Sequence, residues 1–514
     1  MRPHAAPHQR SQRHVLGLIL VLGCGLIACH VLWLPRIVVD DAFISYRYAR
    51  NLASGHGLTF NPNVRVEGYS NFLWVLLTAA GIRGGFDPIA WTRALGAVSL
   101  MGSLLLAVIL TCRVTRSNAA AGAVTLILSA STALCGSAMA GLETGLYTGL
   151  VTGTAVCIAY RQPRVASLLI GLAAWTRPEG LGLAAIGLML LLLTQRRGDR
   201  RRAALEFCLP FGVLLTTLFV FRLSYFGHWL PNSVQAKSAL LPLLGTAPFV
   251  DWPGLVFNDP GLSYLGAFIR YAFGACVLFA ILPVLLGHKR DRFVAWFMAT
   301  AVAMGGAVAV YNFGDWMSGF RLLTPYLPIA TVLTVWGVAE TIAFVARRAG
   351  ARGRALAGFG ATLLVVHVAA GQFQRQRSRV GRSADAQLAG MLNASRQPDL
   401  LAATDVLGRL SYYADRVRIL DMAGLTDAHI ARYGTPSPPF GRTDFAYVLR
   451  RKPQFIMNNV RAAWRKHLHT PAFTEHYWWV DHPRWTRPIA GAGRPRFVFV
   501  RRGSILASEF RLMY

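Results

Sequence analysis

Long apolar runs separated by short polar segments dominate the first 372 residues of the chain. The first run extends from about Val15 to Val39. Further runs cover residues 88–112, 118–138, 142–160, 165–176, 180–195, 203–222, 262–287, 293–311, 321–345 and 355–372. Because a helix needs about 20 apolar residues to cross a bilayer, the pattern predicts a polytopic α-helical membrane protein with about eleven transmembrane helices.

The pattern changes after residue 372. Apolar segments with strand character, LLAATDVLG, RVRILDMAGL, PQFIMNNV and RFVFVRRG, alternate here with helical stretches. This arrangement predicts a small mixed α/β soluble domain of about 140 residues, which is a usual domain size. The expected organisation is therefore a membrane domain over residues 1–372 and a soluble domain over residues 373–514, with residues 435–442 as an internal loop.

Composition supports this interpretation. The chain is 54% hydrophobic and 15% charged, whereas soluble globular proteins carry about 25% charged residues. A large soluble enzyme and a disordered or fibrous chain are therefore excluded. The net charge of +30 is concentrated in alternate loops, at Arg113 and Arg116, at Arg161 and Arg164, and at residues 196–202, 288–292 and 347–354. Such loops lie in the cytoplasm, so no nucleic-acid partner is needed to explain the charge.

The same alternation sets the expected orientation. It places the N-terminus in the cytoplasm and, with an odd number of spans, the tail on the outer side. Residues 70–84 are the weak point of this assignment, because 15 residues fit an interfacial or re-entrant helix better than a span. A full span there would invert everything that follows.

The loops predicted on the outer face contain the chemically diverse residues. Asp40 and Asp41 emerge together where the first span ends. Adjacent carboxylates repel, and at a low-dielectric boundary at least one should have a raised pKa, which suits a general base. The alternative is that Asp41 only caps a helix that starts at Ala42.

Other charged and polar residues lie near the outer ends of the predicted spans. Glu143 is in MAGLETGLY, and Arg177 and Glu179 flank Pro178 between two short apolar runs. The structural alternative for Glu143 is a carboxylate that only stabilises a helix N-terminus. The alternative for Arg177 and Glu179 is a simple turn between spans. The other candidates of this kind are His228, Asn232, Lys237, Asp315 and Arg321. Arg177, Lys237 and Arg321 suit the phosphate of an amphiphile. Glu143, Glu179, His228, Asn232 and Asp315 are the predicted substrate-binding residues.

Motifs for bound cofactors are absent from the sequence. No P-loop, GxGxxG, HExxH or GxSxG pattern occurs in a supporting context. The seven cysteines all lie in apolar stretches and give neither a disulfide framework nor zinc spacing. No cofactor is predicted, and a divalent metal that assists at a phosphate is left open.

The first-loop sequence resembles a known family. Asp40-Asp41 followed by ISYRYARNLASGHGLTFNP and RVEGYSNFLW is similar to the first periplasmic loop of GT-C glycosyltransferases that use polyprenyl-phosphate sugars. With GLET, TRPEG, RLSYFGHWLPN, GDWMSGFR, ATDVLGRLSYYA and LDMAGLTDAHIAR, the chain resembles the branch of terminal β-(1→2) arabinofuranosyltransferases.

The resemblance implies a GT-C membrane core and a lipid-monophosphate sugar donor. It further implies a catalytic acidic residue at Asp40 or Asp41, and a C-terminal domain that helps to bind an acceptor glycan. The implied location is the bacterial inner membrane, in contact with membrane lipids, with the tail in the periplasm. The acceptor is a cell-surface glycan, a lipid-linked glycan or a protein. The alternatives are a flippase or transporter of lipid-linked sugar and a membrane-anchored glycan-binding scaffold.

Overall fold

The chain is largely helical. A computed structural model describes residues 7–34, 38–195, 198–237, 260–287, 291–315, 317, 319–372, 384–437, 441–459, 467–468, 470–480 and 496–512. The helices up to residue 237 are α1 (Pro7–Trp33), α2 (Asp40–Ala53), α3 (Phe72–Arg83), α4 (Pro88–Thr115), α5 (Asn118–Ala130), α6 (Thr132–Met139), α7 (Thr144–Ala159), α8 (Pro163–Thr176), α9 (Gly180–Thr194), α10 (Arg200–Phe226) and α11 (Asn232–Lys237).

Further helices follow after residue 259. They are α12 (Pro260–Ala272), α13 (Leu282–Leu286), α14 (Arg292–Tyr311), α15 (Leu327–Gln372), α16 (Ala384–Ala394), α17 (Gly408–Tyr413), α18 (Ala428–Tyr433), α19 (Phe445–Arg450), α20 (Pro471–Thr474) and α21 (Ile505–Leu512). Two 3-10 helices cover Gly274–Ile281 and Thr324–Tyr326. Helix α15 is broken at Gly350, whose φ of 62° is not helical.

The predicted mixed α/β tail is confirmed. Its strands are β1 (Leu401–Thr404), β2 (Arg418–Asp421), β3 (Thr435–Pro436), β4 (Arg442–Thr443), β5 (Phe455–Asn459), β6 (Tyr477–Val480) and β7 (Arg496–Arg501). A five-stranded sheet has the order β2-β1-β5-β7-β6, and β3 pairs with β4. Strand β1 is parallel to β2 and to β5, whereas β7 is antiparallel to both neighbours. The four segments predicted as strands form β1, β2, β5 and β7, while β6 was not predicted.

The count of about eleven spans is not confirmed. In the described part of the chain, five helices are long and apolar enough to cross a membrane: His14–Trp33, Pro88–Thr115, Arg200–Phe226, Arg292–Tyr311 and Thr324–Arg348. Two bent pairs, α5 with α6 at 56° and Pro260–Ala272 with Gly274–Leu286 at 91°, raise the number to seven. The other predicted runs form helices shorter than the roughly 20 residues of a span. Helix α3 has 12 residues, as the interfacial interpretation of residues 70–84 requires.

The chain divides into two compact units. Unit 1 comprises Met1–Leu34, Thr92–Leu218 and Asp251–Gln376. Its core is apolar and includes Leu104, Val124, Val151, Phe297 and Trp336. Two ion pairs link segments at the predicted cytoplasmic loops of this unit, Arg113 with Asp291 and Arg164 with Glu206, both at 3.1 Å, and Glu206 also pairs with Arg202 within α10. The loop of Arg113 therefore lies beside that of Asp291, and the loop of Arg164 lies beside the start of α10.

Unit 2 is discontinuous in sequence and comprises Pro35–Trp91, Phe219–Val250 and Arg377–Tyr514. The Asn61 side chain shows how its first and last segments are joined. Its Nδ2 donates to the Ile419 carbonyl at 2.7 Å, and its Oδ1 accepts from the Ile419 N–H at 2.9 Å. The first loop thus folds with the strands of the tail. The division into domains at residue 373 stays a prediction, because residue 373 lies outside the described residues. Of the predicted basic loops, residues 196–197 and 288–290 also lie outside them.

Candidate active site

Asp40 is held by the backbone of a distant segment of unit 2. The N–H groups of Gly408 and Arg409 donate to its two carboxylate oxygens, at 2.8 and 2.9 Å. The Arg409 guanidinium also donates to the Val38 carbonyl, just before α2, and lies 5.4 Å from the ring centre of Phe43. Asp40 therefore fixes the start of α2 to the turn that follows β1.

The close approach of these segments requires a glycine at position 408. A Cβ atom added there would lie 1.9 Å from the Asp40 carbonyl oxygen and 2.6 Å from its carboxyl carbon. Burial raises the pKa of Asp40, the backbone N–H groups of Arg409 and Gly408 oppose the rise, and the Asp385 and Asp41 carboxylates add to it, so that the pKa is about 6. The pKa of the anchored Asp40 carboxyl is therefore closer to neutral pH than that of an ordinary aspartate.

Asp41 occupies a different position in the same helical turn. Helix α2 starts at Asp40, and its N-cap is Val39, whose extended backbone provides no side-chain cap. Asp41 is therefore a first-turn residue, where the helix macrodipole favours a carboxylate, and it is not the N-cap that the alternative interpretation assumed. Its side chain is half-buried.

Two buried arginines of unit 2 are already occupied by protein groups. Arg47 is 1% exposed and donates to the carbonyls of Phe60, Ser411, Ala414 and Val417. Arg222 forms a bidentate pair with Glu67 at 2.9–3.1 Å. Both guanidinium groups therefore have structural partners that a phosphate would have to displace.

A separate charged network lies in unit 1, around the break between α8 and α9. Helix α8 ends before Pro178, since a residue before proline disfavours helical backbone. Gly180 is required there because a Cβ would lie 2.3 Å from the Ala174 nitrogen. Arg177 Nε donates to Glu143 Oε1 at 2.9 Å, with side chains 7% and 8% exposed. Glu179 Oε2 is buried without a hydrogen-bond partner among the described residues.

Arg321 and Asp315 extend this network. Arg321 Nε donates to Asp315 Oδ2 at 2.9 Å, and Arg177 Nη1 donates to the Arg321 carbonyl at 3.5 Å. With Glu143 and Glu179, the network has two cations and three carboxylates. The two arginines predicted to bind a phosphate thus already lie beside carboxylates.

The remaining predicted residues lie in unit 2. Asn232 Nδ2 donates to the carbonyls of Gly424, Leu425 and Asp427. Exposed His228 accepts from the Arg432 guanidinium. Lys237, at the end of α11, is exposed. The structure thus groups Glu143, Arg177, Glu179, Asp315 and Arg321 in unit 1, and Asp40, Asp41, His228, Asn232 and Lys237 in unit 2.

Sequence reasoning missed Gly408 and Arg409. Both are in the motif ATDVLGRLSYYA, and a glycine between a strand and a short helix was the available signal. The contact itself could not be predicted, because Asp40 and Gly408 are 368 residues apart in the sequence. Among the described residues, no group of three or more His, Cys, Asp and Glu side chains could hold a metal ion.

The fold is similar to the folds of two solved structures. ArnT from Cupriavidus metallidurans bound to undecaprenyl phosphate matches with a TM-score of 0.54 at 13% identity, over 95% of this chain and 98% of ArnT. The Archaeoglobus fulgidus oligosaccharyltransferase tethered with an acceptor peptide matches with a TM-score of 0.56 at 12% identity, over 94% of this chain and 74% of that chain. With five to seven helices long and apolar enough to cross a membrane among the described residues, the chain is a multi-pass membrane protein.

Curated relatives agree with the predicted branch. The chain is similar to the terminal beta-(1->2)-arabinofuranosyltransferases of Mycobacterium tuberculosis, at 29% identity over 328 residues, and of Corynebacterium glutamicum, at 25% over 361 residues. These matches cover 57% and 62% of this chain. The chain spans about half the length of both relatives, 51% in each case. Residues 369–497 match a family described as a domain of unknown function (DUF8728).

Proposed function

We propose that the chain is a membrane glycosyltransferase that moves a sugar, arabinofuranose by analogy with its relatives, from a polyprenyl monophosphate to an acceptor hydroxyl. The acceptor class is a cell-envelope glycan or glycoconjugate. The likeness to two arabinofuranosyltransferases and the GT-C fold shared with an undecaprenyl phosphate complex support this assignment. The observation that carries it is the carboxylate pair in the first turn of α2, in which Asp40 is anchored by the N–H groups of Gly408 and Arg409 and Asp41 is half-buried.

The chemistry divides between the two carboxylates. Asp41 takes the proton of the acceptor hydroxyl while the hydroxyl oxygen forms a bond to the anomeric carbon of the sugar. The bond from that carbon to the phosphate oxygen breaks, and the polyprenyl phosphate leaves with the electron pair. Asp40 acts as a positioning residue, because its two oxygens are bonded to the backbone of residues 408 and 409. Lys237, in the same unit as the two carboxylates, is the cation proposed to stabilise the leaving phosphate. Arg177 and Arg321 of unit 1 stay predicted phosphate ligands.

A flippase of lipid-linked sugar is the alternative. It would share the phosphate-binding cations but would have no use for a carboxylate positioned as a base. The relatives favour sugar transfer over lipid flipping, since both are named as arabinofuranosyltransferases.

The decisive experiment supplies the purified chain in nanodiscs with polyprenyl-phospho-arabinofuranose and an arabino-oligosaccharide. A transferase releases polyprenyl phosphate and lengthens the oligosaccharide by one sugar. Release that requires no acceptor, or translocation of intact donor between leaflets without release, would contradict the proposal.

Lys237 offers the cleanest test of phosphate binding. It is exposed, so its removal leaves no buried charge. A charge-assisted contact is worth about 1.5–3 kcal/mol, and Lys237→Ala should therefore lower donor kcat/KM roughly ten- to a hundred-fold. The matched control is Arg416→Ala, another exposed cation of unit 2. Unchanged donor kcat/KM in Lys237→Ala would remove this residue from the phosphate site.

The two arginines need conservative variants. Arg177→Ala would break the buried ion pair with Glu143, which costs about 3–5 kcal/mol of stability. A loss of stability would then be difficult to separate from a loss of phosphate binding. Arg177→Lys and Arg321→Lys keep the charge but lose the guanidinium fork. We expect both variants to stay folded and to have a donor kcat/KM below the wild-type value. Wild-type donor kcat/KM in both would indicate that these arginines only neutralise their carboxylates.

We further propose a bacterial inner-membrane protein with residues 196–202 in the cytoplasm and the segment after residue 373 in the periplasm. The ion pairs that link the predicted cytoplasmic loops of unit 1 support this orientation. Reporter fusions that work only in the periplasm should be active when joined at residue 380 and silent at residue 199. The reverse pattern would mean that α3 belongs to a full span and that the sites face the cytoplasm.

A further inference from the structure

Unit 1 contains a pocket of about 430 Å³ at the ends of α4 and α7. Its lining residues are Cys112, Arg113, Arg116 and Tyr160. The first two are in the last turn of α4, and Arg116 follows the end of that helix. Tyr160 is the C-cap residue of α7. The pocket is therefore formed by the C-terminal ends of two helices of the same unit.

The ends of two candidate spans meet at this pocket. Helix α4 is one of the helices long and apolar enough to cross a membrane, and α14, which begins at Arg292, is another. Arg113 Nη1 pairs at 3.1 Å with Oδ1 of Asp291, the N-cap residue of α14. Because a span ends where the hydrocarbon gives way to the headgroup region, the pocket lies at headgroup depth.

The pocket has a net positive charge. Arg116 is exposed, and its side chain has no hydrogen-bond or ion-pair partner among the described residues. Arg113 uses Nη1 for Asp291, but a guanidinium group has five N–H donors, so others stay available to a ligand. Tyr160 is 49% exposed, and its ring centre lies 5.9 Å from Arg113 Cζ. Two guanidinium groups against one carboxylate favour an anion, and their planar forks match the oxygens of a phosphate.

An apolar stripe leads away from the pocket along α4. Leu105 and Val98 are 43% and 68% exposed, and they precede Cys112 by seven and fourteen residues. Residues seven apart lie on one face of an α-helix, because the helix has 3.6 residues per turn. Exposed apolar side chains on one face of a span contact lipid chains. A charged site for a headgroup and an apolar path for its chain thus lie along the same helix.

We propose that this pocket binds the phosphate of an anionic glycerophospholipid, with an acyl chain along Leu105 and Val98. Arg113 and Arg116 bind the phosphate oxygens, and the Tyr160 hydroxyl donates to one of them. Basic pockets between membrane helices bind anionic headgroups in this way. A free phosphate would contact the arginines but not the stripe. The site is independent of the proposed sugar transfer; only its leaflet follows from the orientation proposed above.

The test titrates the full-length chain in detergent micelles with phosphatidylglycerol or phosphatidylcholine and measures bound lipid by native mass spectrometry. The wild-type chain should bind one phosphatidylglycerol at least about ten-fold more tightly than phosphatidylcholine. Arg116→Asn should abolish this preference. Asparagine suits the position because Arg116 has a φ of 55°, in the left-handed region that asparagine adopts more readily than most residues. Phosphatidylglycerol should also raise the melting temperature of the wild-type chain but not that of Arg116→Asn.

Arg161→Asn is the matched control. Arg161 is exposed, has a φ of 58° and follows Tyr160 directly, but it does not line the pocket. Its variant should bind phosphatidylglycerol within about three-fold of the wild-type Kd, because salt screens a charge outside the pocket. Equal losses in Arg161→Asn and Arg116→Asn would mean that the lipid binds to surface charge in general, and would overturn the proposal.

Three other results would also contradict the lipid site. They are wild-type affinity for phosphatidylglycerol in Arg116→Asn, equal affinity of the wild-type chain for the two lipids, and displacement of phosphatidylglycerol by an equimolar competitor. The competitors are inorganic phosphate and polyprenyl phosphate. Displacement by the first would assign the pocket to free phosphate, and displacement by the second would assign it to the lipid carrier of the sugar.

Discussion

Asp41→Asn should lower turnover at least about a hundred-fold, because general-base assistance contributes about 10²–10⁴-fold. Asparagine is nearly isosteric with aspartate but cannot take a proton from the acceptor hydroxyl. Asp41 is a half-buried first-turn residue of α2 and does not cap it, so the fold should survive the change. The measurement is release of polyprenyl phosphate by the purified variant, with its melting temperature compared with that of the wild-type chain.

Two further variants make this result specific. Asp40→Asn keeps one of the two contacts with residues 408 and 409, since its amide oxygen can still accept an N–H, and its turnover should fall less than that of Asp41→Asn. Asp399→Asn removes an exposed carboxylate of the same unit and should leave turnover at the wild-type value. Near wild-type turnover in Asp41→Asn would mean that the base is elsewhere, and Glu143, Glu179 and Asp315 would be tested next.

Gly408→Ala should have the second largest effect. The new methyl group would lie 1.9 Å from the Asp40 carbonyl oxygen, so either the start of α2 or the turn after β1 must move. Overpacking of this kind costs about 1–3 kcal/mol of stability. Because Asp41 is the next residue along the displaced turn, we expect turnover per folded molecule to fall more than about ten-fold. Donor affinity, measured by titration with polyprenyl phosphate, should change little.

Gly390→Ala serves as the control for this substitution. Gly390 is in α16 of the same unit, and a Cβ added there meets nothing within 4 Å. Alanine is also the better helix former by about 1 kcal/mol, so this variant should be as stable as the wild-type chain or more so. If Gly408→Ala turned over substrate as fast as Gly390→Ala, the contact with Asp40 would have no role in the reaction.

Local patterns in the sequence predicted the elements well. Alternating apolar residues marked β1, β2, β5 and β7, and the paired carboxylates at Asp40 and Asp41 stood out from the sequence alone. Hydropathy did not predict the number of spans, because short apolar runs were counted as spans. The runs on either side of Pro178 form helices of only 14 and 15 residues, and the run at 118–138 breaks at Ser131 into helices of 13 and 8 residues.

Contacts between distant segments could not be predicted in this way. The partners of Asp40 lie 368 residues along the chain, and those of Asn61 lie 358 residues away. Neither contact leaves a periodic signal, because each is made by one side chain and one stretch of backbone. Glu67 and Arg222 were both visible as charged residues, but only the three-dimensional structure pairs them.

The discontinuous make-up of unit 2 has a consequence for biogenesis. Arg47 donates to the carbonyl of Ser411, 364 residues later in the chain. At about 5–20 residues per second, the ribosome needs roughly 20–70 s to supply that partner. During this interval the first loop has left the ribosome but lacks the strands that complete it. A nascent chain that ends before residue 411 lacks the carbonyls of Ser411, Ala414 and Val417, so the hydrogen bonds of Arg47 are completed only after this part of the tail has been synthesised.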